Sequence, residues 1–187
     1  AQKRAVLQKD GPMIIIAGAG SGKTRVLTYR IAHLMQQGID AFNILSLTFT
    51  NKAAKEMKAR IAGVVGNSES KNLWMGTFHS VFARILRSEA DKLGFPTNFT
   101  IYDSQDSVRL ISSIIKEMNL DKDRYKPKQV LGRISSFKNS LITVKAYRNN
   151  PEYLKQDTEA SRPKVGDIYK MYVERCFKSG AMDFDDL

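Results

Sequence analysis

The run Ile14-Ile15-Ile16-Ala17-Gly18-Ala19-Gly20-Ser21-Gly22-Lys23-Thr24 constrains this chain more than any other stretch. An apolar segment of strand type leads straight into a glycine-rich loop ending in Gly-Lys-Thr. Glycines let the backbone turn so that successive N–H groups converge on an anion, and a helix opening near Gly22 adds the positive end of its dipole. In such a loop Lys23 reaches the β- and γ-phosphates of a nucleotide and the Thr24 hydroxyl holds Mg²⁺. The usual pattern opens on Gly where this chain has Ala17, a small change that is tolerated if the backbone stays out of positive φ. A glycine-rich turn joining a core strand to a core helix is the alternative reading. Against it, Val26, Leu27, Ile31, Leu34 and Met35 recur at helical spacing before Gly38, so strand, loop and helix stand in the order a phosphate site needs.

Charge narrows the choice of partner. Thirty Lys and Arg against nineteen Asp and Glu leave a formal +11 over 187 residues. Residues 1–60 hold ten of those cations and only three acids. An excess gathered around a phosphate loop favours nucleic acid over a membrane surface. Cys176 is the one cysteine, which excludes a disulfide framework; set among Tyr172, Val173 and Phe177, it reads as a buried structural thiol. No apolar run reaches membrane-spanning length and the first residues resemble no signal peptide, so a cytoplasmic protein without a membrane partner is expected. The start at Ala1 without Met, and the stop soon after a helical pattern, suggest a fragment.

Three apolar strand candidates, residues 13–17, 44–49 and 73–77, each precede a helical pattern, as in repeated βα units around a parallel sheet. Ligands bind at the carboxyl ends of such strands. The glycine-rich loop, Thr48-Phe49-Thr50-Asn51 and Gly76-Thr77-Phe78-His79-Ser80 all fall at those ends, so three loops are expected to face one crevice. Beyond Gly94 the strand signals fade. Asp103 can cap a helix carrying Val108, Ile111, Ile114, Ile115 and Met118; another begins near Pro127 with Val130, Leu131, Ile134 and Phe137; a last one runs over 165–180. Residues 139–162 read as polar and irregular, with Asn149-Asn150-Pro151 as a turn. The pattern is α/β first and mainly helical after.

Individual side chains carry two readings each. Phe49, where a strand gives way to a loop, can present its ring as a stacking platform for bases or belong to the core. Thr50 or Asn51 can cap the helix whose narrow apolar stripe is Ala53, Ala54, Met57 and Ile61. Lys52, Lys55 and Lys58 lie off that stripe, as a solvated face or, beside a phosphate loop, a nucleic-acid surface. His79 can donate to a DNA phosphate or cap its helix. His33 and Trp74 read as core. The Gln2 amide matches N6 and N7 of adenine, or is a surface glutamine. The Arg25 guanidinium can lie flat on a base, or serve a phosphate or the surface.

Together these segments resemble the superfamily 1 DNA helicases of the UvrD/Rep/PcrA type, over essentially the whole chain. Residues 2–6 (Gln-Lys-Arg-Ala-Val) resemble the end of that family's adenine-reading Q motif, without its preceding Leu-Asn, and residues 17–25 resemble motif I. Residues 48–57 resemble motif Ia, the most distinctive of the set; residues 76–80 are similar to motif Ib, and residues 182–187 to the Asp-Phe segment that precedes the return to the core domain. The resemblance implies a P-loop, RecA-like parallel-sheet core, truncated, over residues 1–80, and a mainly α-helical inserted domain over 81–187. It implies that Gln2 reads adenine and Arg25 stacks on it. Ala17, Gly18, Ala19, Gly20, Ser21 and Gly22 would cradle phosphates that Lys23 and Thr24 serve, with Thr24 on Mg²⁺. Phe49, Thr50, Asn51, Lys52, Thr77 and His79 would contact single-stranded DNA. The implied activity is an ATP-dependent DNA helicase moving 3′→5′ on single strands and at duplex/single-strand junctions, in repair or replication. Motif II and the second motor domain with its arginine fingers lie outside these residues, so this stretch alone is expected to be nearly inert as an ATPase. The motor subunit of a helicase–nuclease and a non-catalytic, nucleotide-gated DNA-binding module are the alternatives. A small-molecule P-loop kinase explains neither the charge nor residues 48–57.

Overall fold

The computed structural model describes the backbone of residues 1–187 and all side chains but that of Asn67. The chain divides into two compact units, Ala1–Phe82 and Ala83–Leu187. The first contains α1 (Gln2–Leu7), α2 (Lys23–Gln36), a 3-10 turn (Ala41–Asn43), β1 (Leu45–Thr48), α3 (Asn51–Val65), α4 (Asn67–Ser70), β2 (Trp74–Thr77) and the opening of α5 (Phe78–Glu89). β1 and β2 pair in parallel, in register from Leu45 opposite Trp74 to Thr48 opposite Thr77. Ile31 of α2, Met57 and Ile61 of α3, and Ala41, Ile44 and Leu73 form the core of this unit. The expected α3 stripe thus contributes Met57 and Ile61, whereas Ala53 is exposed. Leu27 is 42% exposed, and His33 and Trp74 are half-buried rather than core.

The strand expected over 13–17 does not form. An apolar run becomes a strand only when a neighbouring backbone takes its N–H and C=O groups, and among the described residues none does so for this one. The run keeps a period of two: Ile14 and Ile16 are 88% and 94% exposed, while Met13 and Ile15 are half-buried. The sheet of this unit is therefore two-stranded.

The second unit continues α5 into a 3-10 turn (Ala90–Leu93) and then β3 (Thr100–Tyr102), α6 (Ser104–Glu117), α7 (Pro127–Asn139), α8 (Val144–Arg148), α9 (Pro151–Glu159), α10 (Val165–Lys178), β4 (Ala181–Asp183) and a closing 3-10 turn (Phe184–Asp186). Ile111, Ile114 and Ile115 of α6, Val130, Ile134 and Phe137 of α7, and Ile168 and Tyr172 of α10 build its core, with Cys176 buried among them as expected. Asp103 caps α6 in a reciprocal box with Asp106. Residues 139–162 are not irregular. Thr143 caps α8, and Asn150 caps α9 with Pro151 in its first turn, so Asn-Asn-Pro marks a helix start. β3 and β4, unforeseen, pair in parallel from Thr100 opposite Ala181 to Tyr102 opposite Asp183. Three-residue strands are too short to show a period.

Candidate nucleotide and nucleic-acid site

The glycine-rich loop closes on itself at the head of α2. Gly20 and Gly22 adopt φ of 74° and 86°, conformations that L side chains rarely take. A Cβ on Gly22 would also come within 3.1 Å of Gln2 Nε2. Ser21 Oγ donates to Gly18 O at 2.7 Å. The Lys23 ammonium folds back to donate to Ala17 O at 2.8 Å and Gly18 O at 2.6 Å, which centres its charge over the loop. α2 is fourteen residues long, carries no acid in its first turn and has no side-chain cap. Its dipole and first N–H groups therefore add to the lysine charge instead of being offset. Thr24, next to Lys23 in that first turn, is half-buried. Gln2 reaches the loop from α1, its Nε2 donating to Ser21 O at 2.8 Å. Arg25 lies 5.6 Å over the ring of Tyr29, one turn along its own helix.

A second group gathers at the carboxyl ends of β1 and β2. The buried Thr48 hydroxyl ties them together, donating toward Thr50 O at 3.1 Å and Gly76 O at 3.4 Å. Thr50 is the N-cap of α3, its Oγ1 accepting Ala53 N–H at 3.1 Å, and Asn51 and Lys52 follow it exposed. Thr77 Oγ1 accepts Ser80 N–H at 3.3 Å at the head of α5. The turn is tight: a Cβ on Gly76 would fall 2.5 Å from Ser80 Oγ. Phe49 is 92% exposed, so it is not a core residue. Its ring centroid lies 5.6 Å from that of Phe78, which is 6.3 Å from that of Phe82. His79 is exposed in the same turn.

The residues singled out from the sequence therefore form two clusters in the first unit, Gln2 with the loop 17–24, and Phe49, Thr50, Asn51 and Lys52 with Thr77 and His79. The crevice expected from three strand-end loops does not arise as drawn, because residues 13–17 are outside the sheet and α2 instead packs on α3. A cavity of about 660 Å³ in the second unit, lined by Tyr102, Ser107, Leu131 and Phe184 among others, holds none of these residues. No helix among the described residues is long and apolar enough to cross a membrane.

The UvrD/REP helicase N-terminal domain model matches residues 1–187. The chain belongs to that family. It is similar to proteins called ATP-dependent DNA helicase PcrA, at 45% identity in Staphylococcus epidermidis, 44% in Bacillus subtilis and 42% in Staphylococcus aureus, in each case over its full 187 residues. It spans about a quarter of the length of these curated relatives.

Two features of this UvrD/REP-family chain were invisible in the sequence. Arg30 of α2 donates through Nη1 to Ala5 O at 2.9 Å and to Gln8 O, gathering the carbonyls at the end of α1. No local motif marks it, since its partners lie more than twenty residues away. In the second unit Lys138, 8% exposed, donates to Asp183 Oδ2 and Asp186 Oδ1 at 2.8 Å each. Tyr172 donates to the same Asp183 oxygen at 2.7 Å and lies 3.0 Å from Ser107 Oγ. Burial works to lower the Lys138 pKa, but the charges of Asp186 and Asp183 outweigh it and hold it above the ordinary lysine value. Burial works to raise Asp183, and Lys138 with its bond carries it below the usual carboxylate range; for Asp186 burial prevails and the value rises. The cluster anchors α7 to the segment 182–187.

Proposed function

We propose that this chain is the ATP- and single-strand-engaging N-terminal portion of an ATP-dependent DNA helicase, with a P-loop, RecA-like core over residues 1–80 and an inserted helical domain over 81–187. What supports it is the concentration of positive potential at one loop. The Lys23 ammonium, the uncapped head of α2 and two left-handed glycines converge there, and Gln2 is bonded to the same loop. The names of the PcrA relatives point the same way.

On nucleotide binding, phosphate oxygens replace the Ala17 and Gly18 carbonyls as partners of Lys23, a stronger acceptor for a cation than a neutral carbonyl. Backbone N–H groups of residues 18–24 take the remaining oxygens. The one hydroxyl of Thr24 fits Mg²⁺, which keeps most of its waters and takes one or two protein oxygens besides phosphate. When bound, that ion offsets charge on the phosphate oxygens. Gln2 spends one Nε2 hydrogen on Ser21 O. Its second hydrogen and its Oε1 can meet N7 and the N6 amino group of adenine, whereas guanine would set O6 against Oε1. Arg25 leaves Tyr29 to lie on the base. Phe49 stacks bases of a single strand, with Thr50, Asn51, Lys52, Thr77 and His79 along the backbone, a mode indifferent to sequence. Movement 3′→5′, action at duplex/single-strand junctions and a role in repair or replication complete the reading. Residues 1–187 contain no Asp-Glu pair for the attacking water, so hydrolysis by this stretch alone stays near background.

Lys23→Ala tests the proposal. Lys23 is exposed and its bonds are local, so the melting curve should not move. ATP affinity should fall at least about tenfold, the scale of a charge-assisted hydrogen bond. Unchanged ATP affinity by equilibrium dialysis would refute the phosphate site.

A further inference from the structure

α1 cannot hold its own position. It has six residues, no side-chain cap, no acid in its first turn and no buried residue. Helices this short are unfavourable in water unless something outside them fixes their ends. Yet α1 carries Gln2, whose amide must sit at Ser21 O for the nucleotide reading above to work.

Arg30 supplies what α1 lacks. Its guanidinium, half-buried on α2, takes Ala5 O at 2.9 Å and Gln8 O through Nη1, and lies 3.5 Å from Lys9 O through Nη2. Ala5 O and Gln8 O are carbonyls that the helix end leaves without partners and where the negative end of its dipole gathers, so a cation there is doubly favoured. A planar fork of five donors serves several acceptors at once, which a lysine cannot do in one geometry. Arg30 follows Lys23 by seven residues, or about 10 Å along α2 at 1.5 Å per residue. α1 therefore runs alongside α2 in the same direction, its first residue at the phosphate loop and its last carbonyls at Arg30. Lys9 Nζ to Gln37 Oε1 at 2.6 Å is a further tie, but between two exposed side chains.

We propose that Arg30 is a positioning residue for base recognition: it caps the end of α1 and so fixes the Gln2 amide against the loop, without touching the nucleotide. This rests on Gln2 as the adenine reader. α2 thus carries Lys23 and Thr24 for the phosphates at its head, and two turns later the residue that registers the base reader against them.

A double-mutant cycle with two readouts tests this. Amide hydrogen exchange in α1, measured without nucleotide, should speed at least about tenfold in Arg30→Ala while the rest of the first unit is unaffected, since loss of the clamp frees only the helix it caps. The preference for ATP over GTP should fall about tenfold, as far as in Gln2→Ala, a size set by losing one bidentate base contact. GTP affinity should barely move, and Arg30→Lys should recover part of the preference. Because Arg30 acts through Gln2, the double variant should discriminate no worse than either single one. Unchanged α1 exchange, an intact ATP preference in Arg30→Ala, or additive losses in the double variant would each overturn the proposal. A wild type that binds ATP and GTP alike overturns the adenine reading and this role with it, and the exchange data then show separately whether the clamp exists.

Discussion

Lys138→Met measures the worth of the buried charge cluster in the second unit. Methionine matches the lysine stem out to Cε and lacks only the ammonium, which lies 5.2 Å from the centre of the Tyr172 ring, so the change chiefly removes one charge and two 2.8 Å bonds. Deleting one partner of a buried ion pair costs about 3–5 kcal/mol because the other is left charged in a poor solvent. Two carboxylates are stranded here. However, Asp186 is one-third exposed, and Asp183 keeps the Tyr172 hydroxyl and the N–H groups of Asp185 and Asp186. The lower end, about 3 kcal/mol at pH 7, is therefore expected. At roughly 4–8 °C per kcal/mol for a unit of this size, Tm falls by about 12–24 °C.

The pH dependence carries a second check. In the wild type, Asp183 lies below its ordinary range, so its contribution is present above about pH 4 and is lost as pH falls through its folded value. Asp186 is raised and acts in the opposite sense, lowering stability as pH rises through its folded value. Lys138 is raised, so its contribution is complete below about pH 10 and is lost only above that, as pH passes its folded value. Without the cation, both carboxylates bind protons more readily and their penalty disappears on acidification. Urea unfolding followed by circular dichroism should show a gap between wild type and variant that narrows from pH 7 to pH 4.5. Adding Asp183→Asn and Asp186→Asn to Lys138→Met should restore most of the loss. A cost below about 0.5 kcal/mol, the range of surface substitutions, or a gap that widens in acid, would refute the reasoning.

Gly166→Ala places a Cβ 2.3 Å from Tyr147 Cε1; that ring is buried and its hydroxyl donates to the buried Asp157 at 2.8 Å, so it has nowhere to go. A loss of about 1–3 kcal/mol in chemical denaturation is expected, and an unchanged midpoint would contradict the packing. Burial pushes the Cys176 thiol up to about 11, so a thiol-specific disulfide reagent at pH 8 should react only as fast as the second unit unfolds; rapid labelling of folded protein would count against a buried thiol. Phe49→Ala removes a ring that is 92% exposed. Stability should stay within about 0.5 kcal/mol, while single-strand affinity should fall by about 1–3 kcal/mol per base stacked, and undiminished binding would remove Phe49 from the DNA path.

Local rules carried far in this chain. Glycines at 20 and 22 ahead of Lys-Thr defined the loop because φ above zero, which both adopt, is nearly a glycine property. The apolar spacing of α6, α7 and α10 located the helical core because a 3.6-residue period needs no partner to be visible. Phe49 was legible only as a choice between two environments, and the first unit decided it by leaving the ring in solvent beside Phe78.

What remained hidden depends on partners distant in sequence. The run 13–17 has every property of a strand except a neighbour, and pairing is a property of two segments, so composition could not show whether it would join β1 and β2. β3 and β4 meet across some eighty residues, and Lys138 finds Asp183 and Asp186 forty-five or more residues later. Arg30 finds α1 in the same way. Backbone conformation and burial period are written locally, residue by residue; pairing, charge compensation and helix docking are set by which distant groups arrive at the same place, and only the folded chain brings them there.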